Sequence, residues 1–575
     1  MTSTAFLLLL VLAGTSAYTT SVNTWWDGFE IKVRMPICKN INAYTIRFSL
    51  NQNIDKLDAD WLGTVQSGQT NNFQIKKTDE PLSGGTTKEF AIVGRTWGRQ
   101  PDGIDLTSFS IDELSTCSGS GDSGKTASSG TAVKRGSSGP KNYASALQKS
   151  ILFYDAQRSG KLPSNNPISW RGDSALSDSV TGGWYDAGDN VKFTFTIAYA
   201  ATTQLWSLRR FNKGYVSASR RAGALSSVKW GLDFLLKSWR PGSSPPSSGR
   251  LVAQIGDGHV DHAYWGRPEN MNMARPTTWL SSSKPGSNVA GETAAALALG
   301  YLVFKNDKPV YASKLLTAAK QVFAFAERYQ GEYDTQGFYP SSGSKDELCV
   351  AAVWLKRATG QSTYLNKAKG FYTSAWNAWA YSWDDKKIAC QLLLYEETKE
   401  SQYKQKVVSF LDEWNGGGVP QTPCGLAWRD AWGSNRYAAN AAFIALVAAK
   451  DGINPTRYVD FAKKQIDYML GDNNKCFSYL IGFGDTYPKE PHHRGASCRA
   501  VSWNDCEKSG SNPYPNQLTG ALVGGPGRYD DYVDSRQDYQ KNEVAIDYNA
   551  GFQGALAGLL SLDTIPSTNN KCPCN

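Results

Sequence analysis

The sequence predicts two domains of different fold class, an all-β sandwich followed by an all-α barrel of paired helices. In the first part of the chain, apolar and polar side chains alternate, which is the pattern of half-buried strands. In the longer second part, apolar side chains recur at helical spacing in twelve successive segments. A Ser/Gly-rich stretch separates the two patterns. At 575 residues, the chain is long enough for one large domain and one smaller one.

The chain opens with a short apolar segment at residues 4–13, followed by small residues up to Ala17. This segment is too short to cross a bilayer, which takes about 20 apolar residues. It predicts a signal peptide over residues 1–17, and hence a secreted, extracellular protein with no membrane partner; a buried N-terminal strand is the alternative. The ten Cys are even in number, and export permits disulfides, but the spacing leaves their connectivity open.

Residues 18–117 carry the strand pattern. The alternating apolar positions are Phe29, Ile31, Val33 and Met35, then Tyr44, Ile46, Phe48 and Leu50, and later Phe90 and Ile92. Gly and Asn punctuate these short runs, which is typical of an all-β sandwich. Residues 118–140 are rich in Ser and Gly and show no periodic pattern, so they are predicted to be a flexible linker.

Residues 141–562 carry the helical pattern. The predicted helices start near residues 143, 191, 219, 291, 308, 345, 362, 386, 400, 434, 457 and 543. Many are Ala-rich and apolar around most of their circumference, as in ETAAALALGYLVF (292–304), so they are buried on more than one side. Twelve helices in pairs, with no strands between them, fit an (α/α)6 barrel. A Cys-containing tail, 563–575, completes the sequence.

Composition narrows the class of ligand. Lys and Arg exceed Asp and Glu by 61 to 52, a net charge of +9 that is mild for this length and not concentrated in any block, which argues against a nucleic-acid partner. The 19 Trp, 28 Tyr and 22 Phe exceed what a core needs and indicate surfaces on which flat ligands stack. Sugars and nucleic-acid bases both stack on aromatic rings, and the charge pattern argues against bases, so sugars are the expected ligands. With only four His, a catalytic or metal-binding His has few candidates.

Long non-helical stretches at 156–190, 240–290, 415–433 and 472–542 hold the candidate site, because loops of this length in a compact domain are usually functional. The first motif, residues 182–190, presents Asp186 and Asp189 between glycines. Two nearby carboxyls push their pKa values apart, one up and one down. A helix N-cap and a calcium loop are the alternatives for this motif.

The second motif spans residues 532–552 and has Glu543 among apolar and aromatic neighbours. Burial raises the pKa of a carboxyl and makes it a proton donor near neutral pH. Stabilisation by the helix dipole is the alternative reason for an acid at a helix start. A third motif offers His492 and Arg494, two apart, as hydrogen-bonding partners for one ligand.

These motifs are similar to the signatures of one enzyme family, the family 9 glycoside hydrolases, which are cellulases with an (α/α)6 barrel. The segments that carry the resemblance are WYDAGDNVKF, SYLIGFGDTYPKEPHHR and YVDSRQDYQKNEVAIDYNAG, in this order along residues 143–562. The resemblance implies a secreted endo-β-1,4-glucanase acting on cellulose and soluble β-1,4-glucans. A non-catalytic glucan-binding protein and a processive glucanase of the same family are the alternatives.

The family resemblance also implies residue roles. Asp189 would be the general base, Asp186 its partner in holding the water, and Glu543 the general acid of an inverting reaction. An inverting pair has its carboxyls roughly 6.5–9.5 Å apart. His492 and Asp534 are implied beside these carboxyls, and Arg494, Tyr548, His262, Trp265, Trp432 and Arg436 as sugar-binding residues. For Trp432, core packing is the alternative. No cofactor is needed for this chemistry, and we expect a monomer.

Two further sites follow from resemblance. The segment SGSKDE resembles a calcium loop of the same family and implies a structural calcium ion held by Ser342, Gly343, Asp346, Glu347 and Asp384. A capping box formed by Ser344 and Glu347 is the alternative. The N-terminal domain resembles a family 2 cellulose-binding module, in which Trp25 and Trp61 would stack on glucose rings.

Overall fold

A computed structural model describes residues 19–25, 28–37, 44–50, 56–57, 64–66, 72–77, 86–95, 106–111, 142–499, 506–508, 513–563 and 574. Its contacts divide the chain into two units, residues 1–133 and 134–575.

The described part of the first unit is built of antiparallel strands. They are β1 (Thr19–Trp25), β2 (Gly28–Ile37), β3 (Tyr44–Leu50), β4 (Lys56–Leu57), β5 (Thr64–Gln66), β6 (Asn72–Lys77), β7 (Thr86–Arg95) and β8 (Leu106–Ile111). Two four-stranded sheets result, in the orders β1-β2-β7-β4 and β5-β6-β3-β8. Along β3, Ile46, Phe48 and Leu50 are buried and Arg47 is exposed, as the alternation predicts. The predicted packing of the sheets into a sandwich stays a prediction.

The described part of the second unit is mainly helical. Its helices are α1 (Tyr143–Ala156), α2 (Thr194–Arg210), α3 (Asn212–Ser217), α4 (Arg221–Ser238), α5 (Gly258–Ala263), α6 (Ser287–Phe304), α7 (Pro309–Arg328), α8 (Lys345–Thr359), α9 (Ser362–Phe371), α10 (Lys387–Thr398), α11 (Ser401–Gly416), α12 (Ser434–Lys450), α13 (Pro455–Met469), α14 (Tyr539–Asn542) and α15 (Ile546–Ser561). Twelve of these described helices have ten residues or more, and each begins within four residues of a predicted start.

Burial sorts these helices into an inner and an outer set. Nearly every residue of α2, α6, α12 and α15 is buried, whereas α7, α9, α11 and α13 bury one face only. Inner helices pack on one another, α15 on α2 and α12, and α6 on α2 and α8. Small residues permit this approach: a Cβ on Gly551 would lie 1.9 Å from Asn440 Oδ1. The predicted barrel-like arrangement of helical layers is confirmed.

The expectation that no strands interrupt the helices is wrong. A small antiparallel sheet is made of β9 (Lys192–Phe193), β10 (Trp239–Arg240), β11 (Arg250–Ile255) and β12 (Thr277–Leu280). The first strand directly precedes α2, and the other three lie between α4 and α6. Five of the six residues of β11 are buried, so its sequence shows no alternation. Such a short buried run cannot be told from a piece of helix by periodicity.

Disulfides cross-link the second unit, as the even Cys count predicts. Cys349–Cys390 joins α8 to α10, Cys498–Cys506 closes a short loop, and Cys424–Cys574 ties the tail to the loop before α12. Cys476 is also disulfide-bonded. Of the described helices, none is long and apolar enough to span a membrane.

Candidate active site

Three chain segments meet at the candidate site: the first acidic motif, the loop 491–494 and the residues that lead into α15. Backbone hydrogen bonds join them, from Arg494 N to Gly188 O (3.0 Å), from His492 N to Asn542 O (2.8 Å) and from Ile546 N to Asp186 O (2.9 Å). Because main-chain atoms make these links, they fix the backbone positions from which the acidic side chains extend.

Gly188 is the closest point of contact between two of these segments. A Cβ on this residue would lie 2.0 Å from His492 O and 3.0 Å from the Cα of His493. Real Cβ atoms do not approach a carbonyl oxygen so closely, so any side chain here would push the loop 491–494 away. The glycine in the motif is therefore explained by this contact.

Asp186 is buried and held by two hydroxyl groups. Thr196 Oγ1 donates a hydrogen bond to Oδ1, and Tyr339 Oη donates one to Oδ2. Burial raises the pKa of Asp186 well above its ordinary value, and the nearby charge of Asp189 raises it further. The helix-cap alternative is wrong for both aspartates, because the N-cap of α2 is Phe193.

Asp189 has the opposite electrostatic environment. Burial acts to raise the pKa of its carboxyl, but His262 and the charge of Arg494 outweigh burial and bring the pKa below its ordinary value. His262 Nε2 lies 3.1 Å from Oδ2, and the amide of Ala187 donates to Oδ1 at 3.1 Å. Asp189 is therefore ionised at neutral pH and can accept a proton.

Glu543 lies between α14 and α15, where the backbone is extended rather than helical. Burial raises its pKa to about 7, with a further contribution from the charge of Asp189. Trp432 Nε1 donates a hydrogen bond to Oε2 at 2.8 Å, which opposes that rise, and Tyr548 Oη lies 3.5 Å from the same oxygen. Near neutral pH, Glu543 therefore keeps a proton that it can donate.

Arg436 lies beneath this acid rather than at the surface of the site. Its side chain is 8% exposed, and its Nη1 donates to Asp547 Oδ2 at 2.9 Å. Its Nη2 donates to the carbonyl of Trp432 at 3.1 Å, and the guanidinium stacks on Tyr548. Arg436 therefore holds Trp432 and Tyr548 in place, and its predicted contact with sugar stays a prediction.

His492 is a neutral imidazole with a defined tautomer. Burial lowers its pKa to about 4. Nδ1 lies 2.7 Å from the carbonyl oxygen of Arg536, which can only accept, so Nδ1 carries the proton. The unprotonated Nε2 is then a hydrogen-bond acceptor. The edge-on ring of Trp265, with centroids 5.1 Å apart, fixes the orientation of the imidazole.

Two other predicted residues brace the loops around the site. Arg494 Nε donates to the carbonyl of Tyr264 at 2.9 Å, and Nη2 reaches that of His262 at 3.4 Å. Asp534 accepts the two successive amides at 489–490, at 2.6 and 3.1 Å. Both therefore hold backbone in place, and their direct roles toward substrate stay predictions.

The comparisons with known proteins agree with this geometry. The sequence profile of Glycosyl hydrolase family 9 matches residues 143–556, well over half of the chain. The chain belongs to glycosyl hydrolase family 9. It is 45% identical over 448 residues to endoglucanase A of Bacillus pumilus and 46% identical over 450 residues to endoglucanase B of Cellulomonas fimi, each time over 73% of this chain. It spans 66% and 42% of the lengths of these two relatives.

Solved structures of the family have the same helical fold. An endoglucanase from the termite Nasutitermes takasagoensis matches with a TM-score of 0.70 and 44% identity, over 73% of this chain and 99% of that chain.

Two Trp residues in the described part of the second unit are exposed, and one of them, Trp432, donates to the carboxyl of Glu543. The side chain of Trp432 is 42% exposed and its ring contacts Tyr539, so the core-packing alternative for this residue is wrong. Trp379 is equally exposed and packs edge-on against Tyr437. Sequence reasoning missed Trp379; its signal was the density of Trp in WNAWAYSW (376–383).

The predicted calcium loop is ordered by its own hydrogen bonds. Ser342 N donates to Asp384 Oδ1 at 2.7 Å, Ser341 Oγ donates to Gly343 O at 2.6 Å, and Lys386 N donates to Asp346 Oδ2 at 2.8 Å. The capping-box alternative is wrong: Ser344 is the N-cap of α8, but its hydroxyl oxygen accepts no amide of the helix, and the hydroxyl donates to Glu332.

Glu347, the remaining predicted calcium ligand, is fully buried with its oxygens in different environments. Oε1 faces the buried ammonium of Lys386 at 3.4 Å, and the same ammonium lies 3.4 Å from Glu292. Oε2 has no hydrogen-bond partner. One orphaned carboxylate oxygen fits a cation ligand, although Lys386 already supplies one positive charge there.

The predicted glucan-stacking residues of the first unit are untested. Trp25 is the last residue of β1, and Trp61 lies outside the described residues.

Proposed function

We propose that this protein is an endo-β-1,4-glucanase that hydrolyses internal bonds of cellulose and soluble β-1,4-glucans with inversion. The observation that carries the proposal is the opposite protonation of two carboxyls: burial holds the pKa of Glu543 near 7, whereas His262 and Arg494 keep the pKa of Asp189 low. Two carboxyls whose pKa values differ in this way supply a proton donor and a proton acceptor at the same pH. The two endoglucanase relatives support the substrate class.

In the proposed reaction, Glu543 donates its proton to the glycosidic oxygen as the bond from that oxygen to the anomeric carbon breaks. A water molecule attacks the anomeric carbon from the opposite face, and Asp189 takes the proton that this water loses. Asp186, whose pKa is raised by burial and by the charge of Asp189, lies beside it and orients the same water. The products are one chain with a new non-reducing end and one with a new reducing end, so atoms and charge balance.

Other residues are proposed to hold the sugar. His492 Nε2 accepts a hydrogen bond from a sugar hydroxyl, because its proton is on Nδ1. The exposed faces of Trp432 and Trp379 stack on the apolar faces of glucose units. Binding energy from these subsites orients the bond for attack.

Exchange of single carboxyls tests the roles. Glu543→Gln should lose about 10²–10⁴-fold in kcat on cellulose fragments and recover much of it on a glucoside with an activated leaving group, which needs little protonation. Asp189→Asn should be poor on both substrates, since water activation is lost either way. Equal responses of the two variants to the leaving group would contradict the assignment.

The stereochemistry gives an independent test. Proton NMR of the first product should show the α-anomer, because a single displacement at a β-bond inverts the configuration. An initial β-anomer would rule out the proposed mechanism.

Two alternatives are separated by product analysis. A non-catalytic glucan-binding protein releases no reducing sugar from a soluble cellulose derivative at any pH from about 4 to 9, a span that covers the carboxyl and imidazole pKa values. A processive glucanase releases most reducing ends as soluble sugar from insoluble cellulose. An endoglucanase leaves many of them on the insoluble chains and lowers the viscosity of the soluble derivative early.

The remaining features complete the proposal. We propose that the protein is secreted, that it acts as a monomer, that a calcium ion braces residues 342–347, and that the first unit tethers the enzyme to cellulose. Disulfides in the second unit support export. Deletion of residues 18–117 should leave activity on soluble glucan unchanged and lower activity on insoluble cellulose, because a flexible linker only raises local concentration. Equal loss on both substrates would contradict a tether.

A further inference from the structure

Three potential metal ligands converge at the catalytic base. Asp189, Asp261 and His262 each offer one ligand atom, and these atoms all lie within 4.8 Å of one another. Within the described part of the chain, no other three His, Cys, Asp or Glu side chains meet this condition. Asp261 and His262 are neighbours on α5, and Asp189 comes from the first acidic motif, so two separate segments build the cluster.

The spacing of two of these atoms already suits a tetrahedral ion. His262 Nε2 and Asp189 Oδ2 are 3.1 Å apart. In a tetrahedral Zn²⁺ site with bonds of about 2.0 Å, two ligand atoms lie about 3.3 Å apart. These two side chains therefore need almost no movement to share one ion. The ligand oxygen of Asp261 lies within 4.8 Å of both other ligand atoms, so it must approach them by no more than about 1.5 Å to reach the tetrahedral spacing.

Asp261 is incompletely satisfied, which is the independent sign of a ligand. It is 1% exposed, and its Oδ1 accepts the amide of Asn190 at 3.0 Å. Its Oδ2 has no hydrogen-bond partner. Arg275 Nη1 lies 4.0 Å from this oxygen, and Arg275 is bound more closely to Asp178, at 2.7 Å. A buried carboxylate oxygen without a partner is costly, so a cation at this position would relieve the cost.

We propose that Asp189, Asp261 and His262 form an inhibitory binding site for a borderline divalent cation, with Zn²⁺ as the probe; the inhibitory effect rests on the proposed role of Asp189. Imidazole nitrogen and carboxylate oxygen are both zinc ligands, and three protein ligands with a fourth position open to water are typical of an open zinc site. Ca²⁺ and Mg²⁺ prefer oxygen ligands alone, so the imidazole selects against them.

Inhibition follows from which atoms the ion occupies. The ion replaces the hydrogen between His262 Nε2 and Asp189 Oδ2, and the ring keeps one proton, on Nδ1. A doubly protonated ring releases its Nε2 proton to solvent, whereas a neutral ring only changes tautomer. The metal-bound Asp189 oxygen can no longer take a proton from the attacking water. The side chain of His262 is 42% exposed, so the ion can enter from solvent. A glucan chain that covers this entrance would compete with it.

Calorimetric titration of the full chain with ZnCl₂, at constant ionic strength, measures binding without any need for activity. We expect one Zn²⁺ per chain at this site and a parallel, chelator-reversible loss of reducing-sugar release. His262→Gln and Asp261→Asn should each weaken Zn²⁺ binding by at least about tenfold, since even loss of an outer-shell partner costs 10–100-fold. His259→Gln is the matched control, because His259 is exposed on the same helix and lies outside the cluster.

Three outcomes decide the matter. Unchanged Zn²⁺ affinity in both cluster variants, loss of affinity in His259→Gln, or inhibition by MgCl₂ as strong as by ZnCl₂ would each overturn the proposal. Because Asp261 is buried, the Asp261→Asn result counts only if the circular dichroism spectrum of the variant is unaltered. If that spectrum changes, the test rests on His262→Gln, because His262 is partly exposed. A chain that binds Zn²⁺ at the cluster but never hydrolyses glucan would refute the proposed function and leave the metal site standing.

Discussion

Replacing Trp432 by Phe should move the alkaline limit of activity to higher pH. The indole Nε1 donates a 2.8 Å hydrogen bond to Glu543, and this bond favours the ionised carboxylate. Its loss favours the protonated acid, so the pKa of Glu543 rises above its value of about 7. The enzyme then keeps its general acid protonated at a pH where the wild type has lost it. Phe retains the ring that contacts Tyr539.

The size of the shift follows from the bond and its exposure. A hydrogen bond to a charged group contributes about 1.5–3 kcal/mol. Trp432 is 42% exposed, so in the variant a water molecule can donate a hydrogen bond to Glu543 in place of the indole. The net loss of free energy is therefore about a third to a half of that range. At 1.36 kcal/mol per pKa unit, the expected rise is roughly 0.5–1 unit.

The pH profile of kcat/KM on a soluble cello-oligosaccharide reports this pKa, because its limbs belong to the free enzyme. We expect the alkaline limb to move up in Trp432→Phe and the acid limb, set by Asp189, to stay. Trp379→Phe is the matched control: this Trp is equally exposed, and its side chain has no described contact with Glu543. An alkaline limb that stays or moves down in Trp432→Phe, or moves equally in both variants, would refute the reasoning.

Three further predictions concern the scaffold. Gly188→Ala should lower kcat strongly, because the added Cβ would lie 2.0 Å from His492 O. Gly343→Ala is the control, since a Cβ added there meets nothing within 4 Å. Equal kcat values for the two variants would contradict the importance of the Gly188 contact. Lys386→Met should lower the free energy of unfolding by about 3–5 kcal/mol in denaturant titration, since it strands two buried glutamates. The partly exposed Lys387→Met should cost under about 1 kcal/mol, and similar losses would refute the difference. Chelation should lower the melting temperature without abolishing activity in the cold; an unchanged value with no metal by elemental analysis would remove the calcium ion.

The helical domain was predictable because its signals are local. Each long helix is indicated by the spacing of apolar residues within some fifteen positions of the sequence. The Ala-rich helices are predicted to lie inside the domain because apolar residues cover most of their circumference. The acidic motifs are equally local, since glycines and carboxyls lie within one short segment. The small sheet was missed for the same reason: its strands have two to six residues and no alternation.

The residues that contact the carboxyls of the candidate site were not predictable from local sequence patterns. Tyr339 reaches Asp186 from 153 residues away along the chain, and Trp379 has no pattern that separates a surface ring from a core ring. The environment of Lys386 is also non-local, because its two glutamates belong to α6 and α8. Such contacts depend on which helices become neighbours, and no spacing along the sequence contains that information.

The bond between Cys424 and Cys574 makes a covalent ring out of the last quarter of the chain. The ring closes over 150 residues and includes both His492 and Glu543, whereas Asp189 lies outside it. A protease that cuts once anywhere inside the ring opens a loop but releases no fragment. A chain that is cut there therefore stays in one piece until the disulfide is reduced, and Glu543 remains attached to the part of the chain that carries Asp189.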